Sequence, residues 1–117
     1  MKGDQLFERF LNFAARIIKL VNAMPRFLAG RHVATQLLRS GTSAGANYEE
    51  ARGGESRADF IHKLAVSWKE TRESRYWLQL IHRAQLLKPI LVAKLLQESD
   101  ELSRILSKSL ATARDKV

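Results

Sequence analysis

GTSAGANYEEARGGESRADFIHKLAVSWKETRESRYWLQLI, residues 41–81, is the stretch that decides the fold. It opens within a run of small residues at helical spacing, including Ser40, Gly41, Ala44 and Gly45. Propensity alone would make this run a loop, because glycine and serine are weak helix formers. The competing interpretation is a helix whose small side chains let a second helix approach closely. The run itself leaves both open.

A clear helix start follows the small residues. Gly53-Gly54 interrupts the chain, and Ser56 is a good N-cap with Asp59 three residues later, as in a capping box. The helix that starts here is predicted to reach about Leu87. Lys88-Pro89 ends it, because the residue before a proline is disfavoured in the α region.

The rest of the chain also shows helical periodicity. A first helix is predicted over Asp4–Asn22, with a turn bracketed by Pro25 and Gly30 and a second helix from about Arg31. A fourth starts near Pro89. The first helix is expected to bury one apolar stripe, formed by Phe7, Phe10, Leu11, Ala14, Ile17, Ile18 and Val21. Short turns between four helices predict an all-α fold, an antiparallel up-down four-helix bundle that forms one domain over residues 1–117.

Helix three carries a second apolar side, which suggests a subunit interface. Trp77 and Leu80 fall away from the side expected to face the core, and aromatic residues are common interface anchors. The alternative is that the bundle wraps this helix broadly and leaves Trp77 partly exposed. Glu70 and Glu73 share the face of Trp77 and are assigned to the same interface, where Arg39 or a neighbouring subunit would neutralise them.

The charge distribution points to polyanions. The net charge is +8, and no acidic residue lies between Glu8 and Glu49. Such a local excess attracts nucleic acid, although a solvated basic surface would look the same. The candidate phosphate-binding residues in this interval are Arg9, Arg16, Lys19, Arg26, Arg31 and Arg39.

No catalytic or metal site is predicted. The chain has no cysteine, and no Glu is followed by His three residues later, as carboxylate di-metal bundles require. Neither a phosphate-binding glycine motif nor a nucleophile elbow is present. We therefore expect no enzymatic activity, no cofactor and no metal. Without a long apolar run or a signal-like N-terminus, we also expect a cytoplasmic protein without membrane contact.

Three blocks of sequence carry a family resemblance. They read QL-x-RS-x-TS-x-x-AN-x-x-EA from Gln36 to Ala51, SR-x-DFI-x-KL from Ser56 to Leu64, and KE-x-x-ESRYWL from Lys69 to Leu78. In this register the chain resembles the bacterial four-helix-bundle family associated with 23S rRNA intervening sequences. Ala44 departs from the pattern, because many members carry Ile there.

The resemblance implies more than the residues do. It favours a continuous second helix ending near Arg52, and a closed homo-oligomeric ring, with five subunits expected. It also implies similarity to the accessory protein of diversity-generating retroelements, a basic ring that binds a reverse transcriptase and nucleic acid. Two functions follow: a basic scaffold that binds RNA or DNA mainly through phosphate contacts, or a protein-interaction ring without nucleic acid.

Overall fold

The computed structural model describes residues 3–115 and folds them into four helices. They are α1 (Gly3–Asn22), α2 (Leu28–Arg52), α3 (Arg57–Arg83) and α4 (Pro89–Asp115). Helix accounts for 88% of the structure, and residues 3–115 contain no strand. The helices form a bundle of 47 × 20 × 20 Å, in which each contacts two neighbours in the cyclic order α1, α2, α3, α4. The predicted all-α four-helix fold is confirmed.

Side chains from all four helices fill one core. The largest fully buried ones include Phe10, Phe13, Ile17, Leu37, Leu64, Leu78, Ile81, Leu102 and Leu106. Each buried aliphatic or aromatic side chain contributes about 1.5–3 kcal/mol relative to exposure. The burial of these stripes therefore supplies most of the driving force for the bundle.

The predicted apolar stripe of α1 is only partly right. Phe10 and Ile17 are buried as expected, but Leu11 and Ile18 are 48% and 45% exposed. The buried face is completed by residues outside the predicted stripe, namely Leu6, Phe13 and Leu20. Apolar residues occupy about half of the circumference of α1, which is wider than the face that the core buries, so periodicity identifies the helix without deciding which part of the apolar half faces the core.

The small residues of α2 lie in the middle of a continuous helix, as the resemblance implied. Gly41 and Gly45 face α1, where an added Cβ would lie 2.9 Å from Ile17 and 2.8 Å from Phe10. Ser40 and Ala44 face α3. The Ser40 hydroxyl and the Ala44 carbonyl each accept a hydrogen bond from a serine side chain of α3. Small side chains on both flanks let α2 pack closely against two helices at once, and this packing overrides the weak helix propensity of the run.

The contact between α2 and α3 is the most extensive in the bundle, and its centre is polar. Ser67 Oγ donates to the Ala44 carbonyl at 2.7 Å, and Ser74 Oγ donates to Ser40 Oγ at 2.9 Å. Thr71, also fully buried, donates to the Ser67 carbonyl. Every buried side-chain nitrogen or oxygen among residues 3–115 has a hydrogen-bond partner. These hydroxyls therefore avoid the cost of burying an unpaired polar group.

Two helix ends differ from prediction. α2 begins at Leu28 rather than Arg31, and Gly30 belongs to its first turn, where an added Cβ would lie 2.2 Å from the Pro25 carbonyl oxygen. α3 begins at the predicted cap, since Ser56 Oγ accepts from the Asp59 N–H at 3.1 Å. It ends at Arg83, four residues before the predicted end.

α3 ends early at a C-terminal cap in which Gln85 adopts a left-handed backbone conformation. Gln85 has φ +57°, the Gln85 N–H donates to the His82 carbonyl, and the Leu86 N–H donates to the Ile81 carbonyl at 3.0 Å. This is a Schellman arrangement, which usually carries glycine at the left-handed position. Because glutamine stands there, the sequence offers no stop signal before Lys88-Pro89.

Candidate nucleic-acid interface

The turn between α1 and α2 and the turn between α3 and α4 lie at the same end of the bundle. This follows from the antiparallel arrangement: Arg9 of α1 contacts Glu98 of α4, whereas Leu20, eleven residues later, shares a groove with Leu91 and Leu95. We call this end the basic end. Two acid-free segments of the chain, residues 9–48 and 74–97, pass through its turns.

Four of the six predicted phosphate-binding residues lie on the basic end with exposed side chains. Arg16 and Lys19 line a groove of about 230 Å³ between α1 and α4. Arg26 and Arg31 line a second groove of about 270 Å³ at the turn between α1 and α2. None of the four forms an ion pair within the part of the chain that the structure describes. Their charges are therefore available to an external anion.

The other two predicted residues, Arg9 and Arg39, are engaged within the bundle. Arg9 pairs with Glu98 at 2.6 Å and with Glu101 at 3.2 Å. Arg39 pairs with Glu70 at 3.1 Å and also with Glu73. The hydrogen bonds that the two guanidinium groups donate to these carboxylates raise the pKa of both, chiefly the bond to Glu98 for Arg9 and the bond to Glu73 for Arg39. Their positive charge is largely compensated inside the chain.

Sequence reasoning missed a second group of cations on the basic end. Arg83, Lys88 and Lys94 are exposed, and none forms an ion pair within residues 3–115. The signal that could have found them is a second acid-free run, since no Asp or Glu occurs from residue 74 to residue 97. Both runs are visible in the sequence, but only the fold shows that they meet at one end.

The net charge of the protein is concentrated in these two acid-free segments. Residues 9–48 and 74–97 contain ten Lys or Arg and no Asp or Glu, whereas the remainder contains ten Lys or Arg and all twelve Asp or Glu. The two segments therefore carry a charge of +10, and the rest of the chain carries −2. Such an asymmetry gives the molecule a strong directional field for anions.

The acidic residues of the first helical turns follow the same asymmetry. α2 and α4 begin at the basic end, and neither has an acidic residue in its first turn. At the opposite end, α1 and α3 begin with Asp4 and Asp59 in their first turns. The helix dipoles add no net field of their own, because two helices begin and two helices end at each end of the bundle.

Three of the four residues predicted to form a subunit interface, Glu70, Glu73 and Trp77, lie on the flank of α3 that faces α2. Trp77 is half-buried and packs edge-on against His32 of α2, with ring centroids 6.0 Å apart. Its Nε1–H donates to Glu73 at 2.9 Å. Leu80, also half-buried, packs against the core. Arg39 neutralises Glu70 and Glu73 within the chain, which was one of the two predicted possibilities, so the ring interface stays a prediction.

Two further features of the described chain are relevant to function. Within residues 3–115, no group of three or more His, Cys, Asp or Glu residues is close enough to hold a metal ion. None of the helices in this range is long and apolar enough to cross a membrane.

Comparison with known proteins identifies the family. Residues 4–108 match the family of 23S rRNA-intervening sequence proteins. The chain belongs to this family. It is also similar to a crystal structure from Bacteroides thetaiotaomicron, a protein with unknown function from the S23 ribosomal protein family. The two chains are 36% identical, the match covers 95% of this chain and 99% of that one, and the TM-score is 0.81. No curated protein matches the chain.

Membership in the 23S rRNA-intervening sequence family confirms the resemblance noted in the three sequence blocks. Those blocks supply the features that organise the bundle. The small residues of α2, the Ser56 cap of α3 and the Arg39 pairs with Glu70 and Glu73 all fall within them. The basic end, in contrast, comes mostly from residues outside the three blocks.

Proposed function

We propose that this protein is a non-enzymatic, basic, oligomeric scaffold that binds nucleic acid mainly through phosphate contacts. The observation that carries the proposal is the concentration of the positive excess in the two acid-free segments that pass through the basic end. A cation that replaces condensed counterions on a phosphate backbone gains affinity through their release, whatever the base sequence. The non-enzymatic part rests on the missing nucleophile, base and metal-ligand patterns in the sequence.

The residues proposed to meet phosphates are the exposed cations of the basic end that form no ion pair within residues 3–115. They are Arg16, Lys19, Arg26 and Arg31 from α1 and α2, and Arg83, Lys88 and Lys94 from α3 and α4. They surround an end face about 20 Å across. That width spans several phosphates, since each strand of a duplex presents one about every 3.4 Å of axis. Arg9 and Arg39 have structural roles in this proposal.

Assembly into a closed ring of five subunits is the second part of the proposal. A ring places several basic ends side by side, so weak contacts of single subunits add as avidity. Trp77 and Leu80 are the proposed anchors, and closed symmetry would bury the same patch in every subunit. Trp77→Ala should weaken each interface by about 2 kcal/mol or more if Trp77 is a hot spot. Light scattering that shows a monomeric wild type at high concentration would refute the ring.

A protein-interaction ring without nucleic acid is the second candidate function. It is favoured by the exposed apolar side chains of the basic end, Phe27, Leu28, Ile90 and Leu91, which are between 49% and 81% exposed. An apolar patch with a charged rim is also what a protein partner, such as a reverse transcriptase, would use. Phosphate contact alone does not account for these four residues.

A variant with reversed charges on the basic end distinguishes the two candidate functions. We expect R16E/K19E/R26E to lose most salt-sensitive affinity for RNA and DNA and to keep its helicity and oligomeric mass, because all three side chains are exposed and outside the ion pairs of the bundle. The assay is fluorescence anisotropy with labelled RNA and DNA from about 50 to 200 mM salt. If the wild-type protein shows no salt-sensitive affinity at about 50 mM salt, where counterion release favours binding, the nucleic-acid function is wrong and the protein-interaction function replaces it.

A further inference from the structure

The outward face of α3 forms a basic and aromatic stripe that phosphate contact by the basic end leaves unexplained. Lys69, Arg72, Tyr76, Gln79 and Arg83 follow the spacing i, i+3, i+7, i+10 and i+14, which places them on one side of the helix. All five are exposed. The stripe is about 21 Å long at 1.5 Å per residue. Arg83 joins it to the basic end.

The stripe contains no carboxylate, although α3 carries two in its middle. Glu70 and Glu73 lie on the flank next to α2, where Arg39 pairs with both and Trp77 donates to Glu73. Their negative charge is therefore compensated on that flank. The outward face keeps the uncompensated charges of Lys69, Arg72 and Arg83.

Tyr76 stands in the middle of this face. It is 54% exposed. Its ring meets the ring of Trp77 at a centroid distance of 4.9 Å and an interplanar angle of 75°. Trp77 is itself held by Glu73 and His32. The Tyr76 ring is thus supported from the α2 side and remains accessible from solvent.

The nearest cation on the stripe is also held in place. The Arg72 guanidinium lies 5.0 Å from the centroid of the Trp68 ring, one helical turn from Tyr76. A supported aromatic ring next to an oriented cation is the combination on which single-stranded nucleic acids bind, with a base on the ring and a phosphate on the cation. A duplex cannot use it, because its bases are already stacked inside the helix.

We infer that the outward face of α3 is a binding platform for single-stranded nucleic acid, on which an unpaired base stacks on Tyr76 between Arg72 and Arg83. The inference rests on the proposed nucleic-acid function and specifies its ligand. The strand's phosphates meet the cations of the stripe and continue toward the basic end. Stacking tolerates any base, so the platform adds affinity for unpaired strands without sequence specificity.

The test compares the binding of Tyr76→Ala and of the wild-type protein to four probes. The probes are single-stranded RNA, single-stranded DNA, a duplex, and a strand with abasic sites. Each is about 12 nucleotides long, which is within the range that single-strand binding sites span. We expect Tyr76→Ala to bind both single strands about tenfold more weakly, the effect of removing one stacked base. Duplex binding and the slope of affinity against salt should not change, because every cation is retained. Tyr76→Phe should behave as wild type. The RNA and DNA arms show which strand is preferred.

Matched controls isolate the stacking interaction. Leu38→Ala removes a partly exposed apolar side chain from α2, away from the stripe, and should bind as wild type. Arg83→Gln should lower the salt slope by about 0.7, the value for one phosphate contact to a single strand. Wild-type protein should bind the abasic strand about tenfold more weakly than the intact strand, the effect of removing one stacked base, and this comparison requires no variant.

Three results would overturn the inference. If Tyr76→Ala and wild type bind single strands equally while wild-type binding remains salt-sensitive, the stacking platform is wrong and the proposed function stands. If wild type binds no probe, the proposed function fails and the platform with it. If Tyr76→Ala changes the oligomeric mass by light scattering, Tyr76 belongs to a subunit contact instead.

Discussion

Glu98 of α4 holds the guanidinium of Arg9 on α1 through two hydrogen bonds, Nη2 to Oε1 at 2.6 Å and Nε to Oε2 at 3.0 Å. Glu101 accepts a third bond from the same group at 3.2 Å. α1 and α4 are the least extensively packed neighbours in the bundle. A two-point arginine–carboxylate pair is stronger and more directional than a single contact. This ion pair therefore links α1 to α4, the two neighbouring helices that pack least extensively against each other.

Removing this pair should destabilise the protein. We expect Arg9→Ala to lower the free energy of unfolding by about 1 kcal/mol, the upper range for partly exposed pairs. Urea unfolding followed by circular dichroism measures the change. Arg16→Ala, two turns later on the same helix and outside the ion pairs of residues 3–115, is the matched control and should change stability by less than about 0.5 kcal/mol. Equal effects of the two substitutions would mean that the pair contributes nothing.

The close approach of α1 and α2 gives a second prediction. An alanine at position 41 places its Cβ 2.9–3.0 Å from two side-chain atoms of Ile17, closer than normal van der Waals contact. Overpacking of this kind costs about 1–3 kcal/mol, and the gain in helix propensity from glycine to alanine returns about 1 kcal/mol. We expect Gly41→Ala to be destabilising by thermal unfolding. Gly53→Ala, with its nearest neighbouring atom at 3.9 Å, is the control without a clash.

A double-mutant cycle checks the cause. Ile17→Ala removes the two Cγ atoms that a Cβ at position 41 would approach, so it should cost less in the Gly41→Ala background than in the wild type. The coupling should be absent when Ile17→Ala is combined with Gly53→Ala. Additive effects of Ile17→Ala and Gly41→Ala would show that the destabilisation has another origin.

The run Ser40–Asn47 shows how far the fold can be predicted from sequence. Periodicity locates all four helices, but propensity cannot decide whether this run is helix or loop. The deciding quantity is the distance to α1 and α3, which is a property of the assembled bundle. The same limit applies to α1, where Leu11 and Ile18 lie at the edge of a broad apolar half and therefore look like core residues. Gln85 illustrates a different limit, because the helix stops at a residue that gives no local signal.

Gln85 leads to a third prediction. At φ +57° the Cβ of Gln85 lies close to the following carbonyl oxygen. This backbone conformation costs about 1 kcal/mol or more for residues other than glycine. Gln85→Gly should therefore stabilise the protein by about 1 kcal/mol, although the more flexible unfolded chain offsets part of the gain. The matched control is Gln79→Gly on the exposed side of α3, which should destabilise by about 1 kcal/mol. Thermal unfolding should show opposite signs for the two; the same sign would contradict the capping argument.

Glu73 gives a prediction about pH. Burial by itself raises the pKa of Glu73, but hydrogen bonds from Trp77 and Arg39 and the charge of Arg39 outweigh it and lower the pKa below its ordinary value of 4.5. A carboxylate with a lowered folded-state pKa stabilises the fold above its unfolded-state pKa. That contribution is lost as the pH falls through the folded-state value.

The stability difference between wild type and Glu73→Gln should therefore be constant near neutral pH and shrink on acidification below about pH 4.5. Urea unfolding from neutral pH down to about pH 3, below the ordinary range for a glutamate, measures it. Glu55→Gln is the control, because Glu55 is exposed and forms no ion pair within residues 3–115. A difference for Glu73→Gln that grows toward low pH would have the wrong sign for this mechanism.

The candidate interface is less predictable than the fold. The acid-free interval of α1 and α2 correctly marks Arg16, Lys19, Arg26 and Arg31 as exposed cations. It cannot show that Arg9 meets a carboxylate 89 residues away. Arg39 is predicted both as a partner of Glu70 and Glu73 and as a phosphate ligand, and the sequence does not choose between the two roles. Charge counting along a chain treats every cation alike, whereas ion pairing depends on which helices become neighbours.

The last prediction tests whether affinity for nucleic acid depends on where the positive charges lie or on their total number. R83Q/K88Q/K94Q removes three cations from the basic end, and R57Q/K108Q/R114Q removes three exposed cations from the opposite end. Both variants have the same net charge. If phosphates meet the basic end, the first variant should bind nucleic acid more weakly and with a lower salt slope, by up to about 0.9 for each duplex phosphate that is no longer neutralised.

The second variant should stay within about twofold of wild type, because charges more than a Debye length of about 10 Å from the ligand are screened at about 0.1 M salt. Helicity and oligomeric mass, measured on the same samples, exclude unfolding or dissociation as the cause. Equal reductions in affinity for the two variants would mean that affinity follows total charge. The basic end would then be no binding surface, and its exposed Phe27, Leu28, Ile90 and Leu91 would point to a protein partner.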